Sequence, residues 1–386
     1  MSETARLAVF FLVVLSVWAL MHLYVGQRLW RLPGLDTSAG HLALVLAGSL
    51  LFFAYPLGRG LDHRGWGGVA YGLELVGAQW MGVLFLLVSA LLLVDVLTGF
   101  GSWARSFVPA ARLGGLTLAL GLAAIGTVQG VRAPVVRHAE IQLAGLPEDA
   151  TGLRIAHLSD LHLGRLLDER WLAARVAQVI AEQPDLVLIT GDLVDSDSRH
   201  MERMLPTLRG LRAPLGVFAV SGNHEFYAGI ERSLALMERA GFTVLRDRAV
   251  AVRPGLVLAG VDDLTARRQL GARGEPLVQA LDGRPAGATI FLSHSPWHAA
   301  EVAARGGDLM LSGHTHAGQI WPFNLLVKLQ YPLIAGRYVV KGMPVLVSRG
   351  TGTWGPRMRL WRPSEIWVLT LRPAGAQGVS ATRNPT

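Results

Sequence analysis

LRIAHLSDLHLG, residues 153–164, places an aspartate and a histidine directly after a short apolar run. The run LRIAHL is typical of a buried β-strand, and open α/β sheets hold their ligand sites at the C-terminal ends of strands. Residues two apart in an extended segment point to the same side. The spacing therefore predicts that Asp160 and His162 converge on one point.

Four further apolar runs, DLVLIT, GVFAV, ATIFLS and DLMLS, end in the same kinds of polar side chain. The residues that follow them are, in order, Gly191 and Asp192; Gly222, Asn223, His224 and Glu225; His294; and Gly313, His314 and His316. The two-residue spacing of the last pair again predicts convergence on one point. The preceding glycines allow the backbone to turn sharply and approach a bound ion.

The donor set consists of carboxylates, imidazoles and one amide. Such a set suits Mn²⁺, Fe or Zn²⁺, and the absence of cysteine excludes thiolate ligands, disulfides and cysteine nucleophiles. Each fragment alone is common: an isolated Asp-x-His is more often a capped turn, and an isolated His294 is more often a core histidine. The ordered set of five strand ends instead indicates a metal site.

Taken in order over residues 152–318, and onward to 372, the five blocks resemble the calcineurin-like metallophosphoesterase superfamily. HLSDLHLG, GHTHAGQ and the apolar N-terminal region are similar to its membrane-associated branch, which includes YkuE-like and transmembrane metallophosphoesterases. The resemblance implies an α/β four-layer sandwich of two mixed β-sheets flanked by helices. It also implies phosphoester hydrolysis by metal-activated water, without a covalent enzyme intermediate.

The resemblance further implies two divalent metal ions, which would be Mn²⁺, Fe²⁺/³⁺ or Zn²⁺. Their ligands would be Asp160, His162 and His316 for one ion, Asn223, His294 and His314 for the other, and Asp192 as the bridge. The catalytic residues would be Asp192 and His224, with His224 contacting a phosphate oxygen and protonating or stabilising the leaving oxygen. Asp195 would orient a ligand or the turn, the alternative being that it caps the following segment.

The first third of the chain has the composition of a membrane region. Apolar residues make up 51% of the sequence and charged residues 17%, and the mean hydropathy is positive. We expect residues 1–135 to form about four transmembrane helices, each near the ~20 residues that a span needs. The predicted spans are residues 7–25, 41–58, 76–98 and 113–131. The last is rich in Gly and Ala and is expected to pack inside the bundle, while the position of Asp95 near a span end favours an interfacial or hydrogen-bonded structural role.

Four spans place the N-terminus and the region after residue 132 on the same side of the membrane. Five arginines near span ends lie on that side and four on the other. Because basic residues accumulate on the cytoplasmic side, this balance slightly favours a cytoplasmic catalytic domain in a multi-pass protein of the cell membrane.

Beyond residue 135, short apolar runs alternate with amphipathic stretches in a β-α-β-α-β rhythm, which predicts a layered α/β domain. We assign residues 136–372 to this domain. YVV, PVLVS and EIWVLTL, separated by Gly and Pro, are predicted strands of a second sheet. Residues 373–386 lack apolar periodicity and are predicted to be a disordered tail.

The formal net charge of +8 raises the question of a nucleic-acid or anionic-membrane partner. The basic residues are scattered and form neither a stripe nor a recognised motif, so we expect no nucleic-acid partner. Three arginines, Arg349, Arg357 and Arg359, lie in a Gly-rich segment. Arg349 or Arg357 could bind a substrate phosphate, although a solvated surface position is the alternative for each.

Residues 320–336, IWPFNLLVKLQYPLIAG, are strongly apolar. They are expected to lie against the bilayer or to line a groove for an acyl chain, with Trp321, Phe323 and Tyr331 at the interface. The competing interpretation is a buried connection between two sheets.

The predicted membrane anchor favours an amphipathic or lipid-linked phosphoester. Cleavage of nucleotide-linked lipids such as UDP-2,3-diacylglucosamine is known among proteins of the resembled superfamily. Two alternatives stay open: the same chemistry on a soluble phosphoester or cyclic nucleotide, and a non-catalytic membrane sensor or transporter that binds phosphorylated ligands.

Overall fold

The computed structural model describes residues 3–62, 64, 66–103, 105–195 and 201–374. It divides into two compact units. One contains the chain up to Arg132 with Gln319–Phe323 and Thr353–Pro363, and the other contains Ala133–Gly318, Asn324–Gly352 and the chain from Ser364. The division falls near the predicted boundary at residue 135, but the sequence does not predict that two short later segments group with the N-terminal helices. Of the predicted tail, residues 373–386, Pro373 ends the last strand of the described chain, and residues 375–386 lie outside the described residues.

The four predicted membrane spans are helices, and this part of the prediction is confirmed. Each helix extends further towards the N-terminus than the predicted span. They are α1 (Glu3–Leu29), α2 (Ser38–Asp62), α3 (Gly67–Leu97) and α4 (Val108–Val131). All four are long and apolar enough to cross a membrane.

Helix α3 is the most buried of the four. At Gly77 a Cβ atom would lie 2.4 Å from the backbone nitrogen of Tyr55, so only glycine allows α2 to approach this closely. The Gly- and Ala-rich helix α4 buries Gly115, Ala119 and Ala123. The prediction that the Gly- and Ala-rich span packs inside the bundle therefore holds for one face of α4. The helix with the largest buried share is α3.

Two carboxylates are buried in α3 and paired with arginines. Asp95 accepts hydrogen bonds from Arg28 at 2.7 Å and Arg112 at 3.2 Å, which is the hydrogen-bonded environment that the sequence predicts for it. Glu74 lies in the helix because α3 begins nine residues before the predicted span, and it pairs with Arg59 at 3.0 Å. Pairing of this kind reduces the cost of a charge inside a membrane.

Twelve strands and eight further helices follow along the described chain. The strands are β1 (Val135–Leu143), β2 (Arg154–Leu158), β3 (Leu186–Thr190), β4 (Val217–Val220), β5 (Thr243–Val244), β6 (Arg248–Arg253), β7 (Gly255–Gly260), β8 (Gly287–Leu292), β9 (Leu309–Ser312), β10 (Gly336–Val340), β11 (Met343–Val347) and β12 (Glu365–Pro373). The helices are α5 (Glu169–Ala181), α6 (Met201–Leu208), α7 (Asn223–Tyr227), α8 (Ile230–Arg239), α9 (Leu264–Leu270), α10 (Pro276–Leu281), α11 (Ala299–Ala304) and α12 (Phe323–Gln330).

The strands form two six-stranded mixed sheets, with the orders β1-β12-β2-β3-β4-β5 and β10-β11-β9-β8-β7-β6. Side chains alternate between the two faces of each strand. In β3, Leu186 and Leu188 join the core between the sheets, while Val187 and Ile189 pack towards α5, α6 and α8. Helices α10 and α11 cover the outer face of the second sheet. The predicted four-layer sandwich is therefore confirmed.

EIWVLTL is part of β12, which lies in the first sheet, so its predicted place in the second sheet is wrong. It pairs in parallel with β1 and antiparallel with β2. An apolar run shows that a strand exists but does not encode which distant strand it joins. Strand β1 is not predicted at all, because only Ile141 and Leu143 of its side chains are fully buried.

Candidate metal centre

The strand ends of β2, β3, β4, β8 and β9 carry the predicted site residues, and the structure brings these residues together. Three groups of side chains have potential ligand atoms within 4.8 Å of one another. They are Asp160, His162 and His316; Asp192, His294 and His314; and His162, Asp192 and His224. All except His314, which is partly exposed, are buried.

The donor atoms in each group are spaced as cation ligands are. The Nε2 atoms of His162 and His316 are 2.9 Å apart, and His294 Nε2 lies 3.2 Å from His314 Nδ1. Two nitrogens each ~2.1 Å from one cation lie ~3 Å apart. The Asn223 Oδ1 atom is buried and has no hydrogen-bond partner among the described residues, as expected of an oxygen reserved for a cation. The residues present therefore fit bound divalent metal.

Asp192 lies between the two sets of histidines. Its Oδ2 atom is 3.1 Å from His294 Nε2 and 3.7 Å from His162 Nε2. Its Oδ1 atom accepts a hydrogen bond from the backbone nitrogen of His224 at 2.8 Å. One carboxylate thus contacts both sets and the segment that carries His224.

Five of these side chains stand on left-handed backbone. The φ angles are 54° for Asp160, 47° for His162, 51° for Asp192, 70° for His314 and 49° for His316. Such values cost a non-glycine residue ~1–2 kcal/mol and collect at functional sites. The extended backbone predicted for these segments is therefore wrong. Asp160 and His162 do converge, but His314 and His316 belong to different groups.

Two glycines allow the strand ends to approach this closely. A Cβ atom on Gly222 would lie 2.2 Å from Asp192 Oδ1, and one on Gly313 would lie 2.3 Å from Asp160 Oδ2. Any side chain at either position would displace a carboxylate of the cluster.

Burial and mutual charge set the protonation states. Burial raises the pKa of the Asp192 carboxyl, but His294 and His224 outweigh it and hold that pKa well below its ordinary value. Burial lowers the pKa of His162 well below its ordinary value and that of His314 to about 3. These are the ionised carboxylate and neutral imidazoles that metal ligands require. His294 differs: burial lowers its pKa, but Asp192 raises it well above the ordinary value, so metal binding there must release a proton.

His224 is held by the backbone carbonyl of Asp195 and the side-chain carboxylate of Asp192. Its Nδ1 atom donates to the carbonyl oxygen of Asp195, and its backbone nitrogen donates to Asp192. The Asp195 carboxylate lies 3.8 Å from Nδ1 of both His162 and His224. The structure therefore places Asp195 next to a predicted ligand and the predicted acid, in the position that an orienting role requires.

Glu225 is a further site residue, and the sequence pattern predicts no role for it. Its buried carboxylate accepts hydrogen bonds from the backbone nitrogens of Gly222, Asp192 and Val194 at 2.6, 2.9 and 3.0 Å. Burial and the nearby Asp192 raise its pKa to about 7. The signal in the sequence that could have identified Glu225 is its position three residues after Gly222, which is typical of a capping box at the start of a helix such as α7. The Glu225 carboxylate therefore links the segments that follow β3 and β4 by hydrogen bonds.

Tyr331 makes a second contact that the sequence does not predict, since its pattern places this residue at the membrane interface. Its hydroxyl lies 2.7 Å from His314 Nε2, and burial raises its pKa, which keeps it protonated. The His314 Nδ1 atom faces His294. A partner on the second ring nitrogen fixes the orientation and tautomer of a metal-binding histidine.

Tyr331→Phe is expected to weaken metal affinity ~10-fold, because contacts to the second ring nitrogen typically contribute 10–100-fold. Mn²⁺ titration of the metal-depleted full-length protein measures this change. Tyr338→Phe is the matched control. Among the described residues, the Tyr338 hydroxyl bonds backbone atoms of residues 334 and 335, so its loss should leave metal affinity unchanged. Equal affinities for both variants and the wild type would contradict a positioning role.

Arg349 and Arg357, the two arginines proposed for substrate binding, belong to different units. Arg349 lies in the unit of the two sheets, where its Nε atom is 3.7 Å from Glu365. Arg357 and Arg359 belong to the unit of the four helices, where the backbone nitrogen of Arg359 donates to Gly126. Arg359 is fully buried, so a solvated surface position is wrong for this residue.

A four-layer α/β sandwich with an Asp/His cluster at its strand ends is suited to metal-dependent hydrolysis. The family model described as calcineurin-like phosphoesterase matches residues 153–318. A metallophosphoesterase of Helicobacter pylori is 37% identical over 265 residues, which cover 68% of this chain and 70% of that protein. The chain belongs to the calcineurin-like phosphoesterase family and is a metal-dependent phosphoesterase.

Other relatives extend the likeness to membrane proteins. A transmembrane protein with metallophosphoesterase domain from Danio rerio is 36% identical, with 66% of this chain and 61% of that protein covered. YkuE of Bacillus subtilis is 30% identical over 59% of this chain and 82% of that protein. Together with the four spans, these matches identify a membrane protein of the predicted branch. A solved dimetal phosphatase from Danio rerio has 13% identity and a TM-score of 0.34 over 52% of this chain and 88% of that one, too distant to add to the assignment.

Proposed function

We propose that this protein is a membrane-bound dinuclear phosphoesterase that hydrolyses a phosphate ester or pyrophosphate bond of a lipid-linked substrate. UDP-2,3-diacylglucosamine is the leading candidate substrate, and the two metal ions would be Mn²⁺, Fe²⁺/³⁺ or Zn²⁺. The catalytic domain is proposed to face the cytoplasm, on the balance of five arginines against four at the span ends. A reporter fused to the C-terminus tests that orientation.

The proposed chemistry assigns a role to each residue of the cluster. One cation would be held by Asp160, His162 and His316, a second by Asn223, His294 and His314, with Asp192 between them. Bound divalent cations supply Lewis-acid activation of water and neutralise phosphate charge. His224 then donates a proton to the leaving oxygen, and Asp195 keeps its ring in place. Arg349 or Arg357 would bind a second phosphate or the headgroup.

The exposed apolar face of α12 is the observation that supports the proposal of a lipid-linked substrate. Leu325 and Leu326 are each 55% exposed, and Leu329 is 84% exposed. Their exposure disfavours the alternative that residues 320–336 are a buried connection between two sheets, although Ile334, beyond the helix, is buried. An amphipathic helix with such a face lies in the membrane interface.

Helix α12 ends next to a residue that contacts the candidate metal centre. The helix begins at Phe323, whose ring packs edge-to-face on Phe85 of α3 within the unit of the four helices. It ends one residue before Tyr331, which bonds His314. A lipid-facing helix so close in the chain to a metal ligand favours a substrate that is taken from the bilayer.

A substrate panel on full-length protein in mixed micelles tests the proposal. The panel contains UDP-2,3-diacylglucosamine, its deacylated counterpart and a soluble aryl phosphodiester. The double variant Leu325→Asp/Leu326→Asp is expected to lose ~10-fold or more of its activity on the diacyl compound and to retain its activity on the soluble ester. Leu270→Asp, at an exposed leucine of α9, is the matched control.

Other outcomes separate the competing functions. Full activity of the double variant on the diacyl compound contradicts uptake through α12. Activity of the wild type on the soluble or deacylated compounds alone favours a soluble substrate. Inactivity of the folded, metal-loaded protein on every compound favours a sensor of phosphorylated ligands.

A further inference from the structure

A groove of about 1100 Å³ runs between α1 and α2, inside the unit of the four helices. Its walls are mainly apolar and include Leu20, Val45 and Phe52. Gly26 and Gly48 also line it, and a Cβ atom at either glycine would have no neighbour within 4 Å. The space therefore extends to the helix backbones.

The length of the groove matches one leaflet of a bilayer. Its lining on α1 runs from Val17 to Arg28, which is ~17 Å at 1.5 Å per residue, and Trp30 and Arg31 line it just beyond the helix end. The hydrocarbon core of a bilayer is ~30 Å thick, so one leaflet contributes ~15 Å. An acyl chain of a phospholipid fits this depth, with its headgroup at the end near Arg31.

That end of the groove is basic. Arg28 and Arg31 both line it. Arg28 and Arg112 share the single carboxylate of Asp95, so these three groups keep one net positive charge, and the exposed Arg31 adds a second. Trp30, which stacks on His41 with ring centroids 3.7 Å apart, stands where interfacial aromatic residues are found.

We propose that this groove binds one anionic phospholipid, with an acyl chain between α1 and α2 and the phosphate beside Arg28 and Arg31. A guanidinium group suits phosphate oxygens, and the two net positive charges select a lipid whose headgroup carries net negative charge. The site is separate from the phosphoesterase centre and does not depend on which substrate that centre accepts.

Native mass spectrometry of the full-length protein in detergent tests the site, with dioleoyl phosphatidylglycerol and dioleoyl phosphatidylcholine as probes. We expect ~10-fold preference for phosphatidylglycerol. Gly48→Leu fills the groove and should abolish retention of both lipids. Gly121→Leu, at an equally open helical glycine that does not line the groove, should leave retention unchanged.

Arg31→Gln keeps the groove open and tests the headgroup separately. It removes one of the two net positive charges and should reduce the preference for phosphatidylglycerol over phosphatidylcholine, whereas Arg105→Gln, at an exposed arginine in the α3–α4 connection, should not. Equal retention of the two lipids by the wild type overturns the proposal, as does undiminished retention by Gly48→Leu. Phosphoesterase activity of each variant, measured in parallel, confirms that it is folded.

Discussion

Asp192→Asn is expected to lower phosphoesterase kcat by ~10³-fold or more and to reduce the bound divalent metal. The Asp192 carboxylate is the group that contacts both sets of histidines, at 3.1 Å from His294 and 3.7 Å from His162. Asparagine has the same shape but no charge, and it presents an N–H group to one of these contacts. Metal ions contribute several kcal/mol of transition-state stabilisation, and ~4 kcal/mol corresponds to ~10³-fold in rate.

Hydrolysis of an aryl phosphodiester and metal analysis of the same gel-filtered sample measure this effect. Asp282→Asn is the matched control, because that carboxylate is more than half exposed and pairs only with Arg305 among the described residues. An Asp192→Asn protein with full metal content and full activity would contradict the central place of this carboxylate. Loss of metal with retained activity would contradict metal dependence itself.

The strand ends predict which residues of the cluster lie together but not the backbone conformation that brings them together. An apolar run followed by Asp, His or Asn marks a strand end, and parallel strands bring such ends to one edge, so the cluster follows from local pattern. The left-handed backbone at Asp160, Asp192 and His316 does not follow from the local sequence pattern. Tertiary contacts stabilise this conformation, which each residue alone disfavours.

Long-range contacts account for most of what the sequence could not predict. Tyr331 is 17 residues from His314, and no spacing rule connects a tyrosine at a helix end to a metal ligand. The same limit applies to residues 319–323 and 353–363, which group with the four helices. At Gly130 a Cβ atom would lie 2.5 Å from the carbonyl oxygen of Arg357, and this close approach is invisible in the local pattern of either segment.

His224→Gln is expected to slow substrates with poor leaving groups far more than those with good ones. Because the Asp195 carbonyl engages Nδ1, Nε2 is the ring atom that can exchange a proton with a substrate. A proton donor contributes ~10²–10⁴-fold when the leaving oxygen is strongly basic. An aryl oxygen leaves as a stable anion and needs little protonation. We therefore expect ~10²-fold or greater loss on an alkyl phosphodiester and ~10-fold or smaller loss on a nitrophenyl ester.

The ratio of the two losses separates proton donation from the other ways in which His224 contributes. Its backbone nitrogen supports Asp192, and that contact survives any side-chain replacement, so metal content should stay at the wild-type level. His138→Gln, at a histidine that is 59% exposed and pairs with Glu182, controls for loss of an imidazole. Equal losses on both esters at full metal content would mean that His224 binds the phosphate without protonating the leaving group. Losses confined to the alkyl ester would identify it as the general acid.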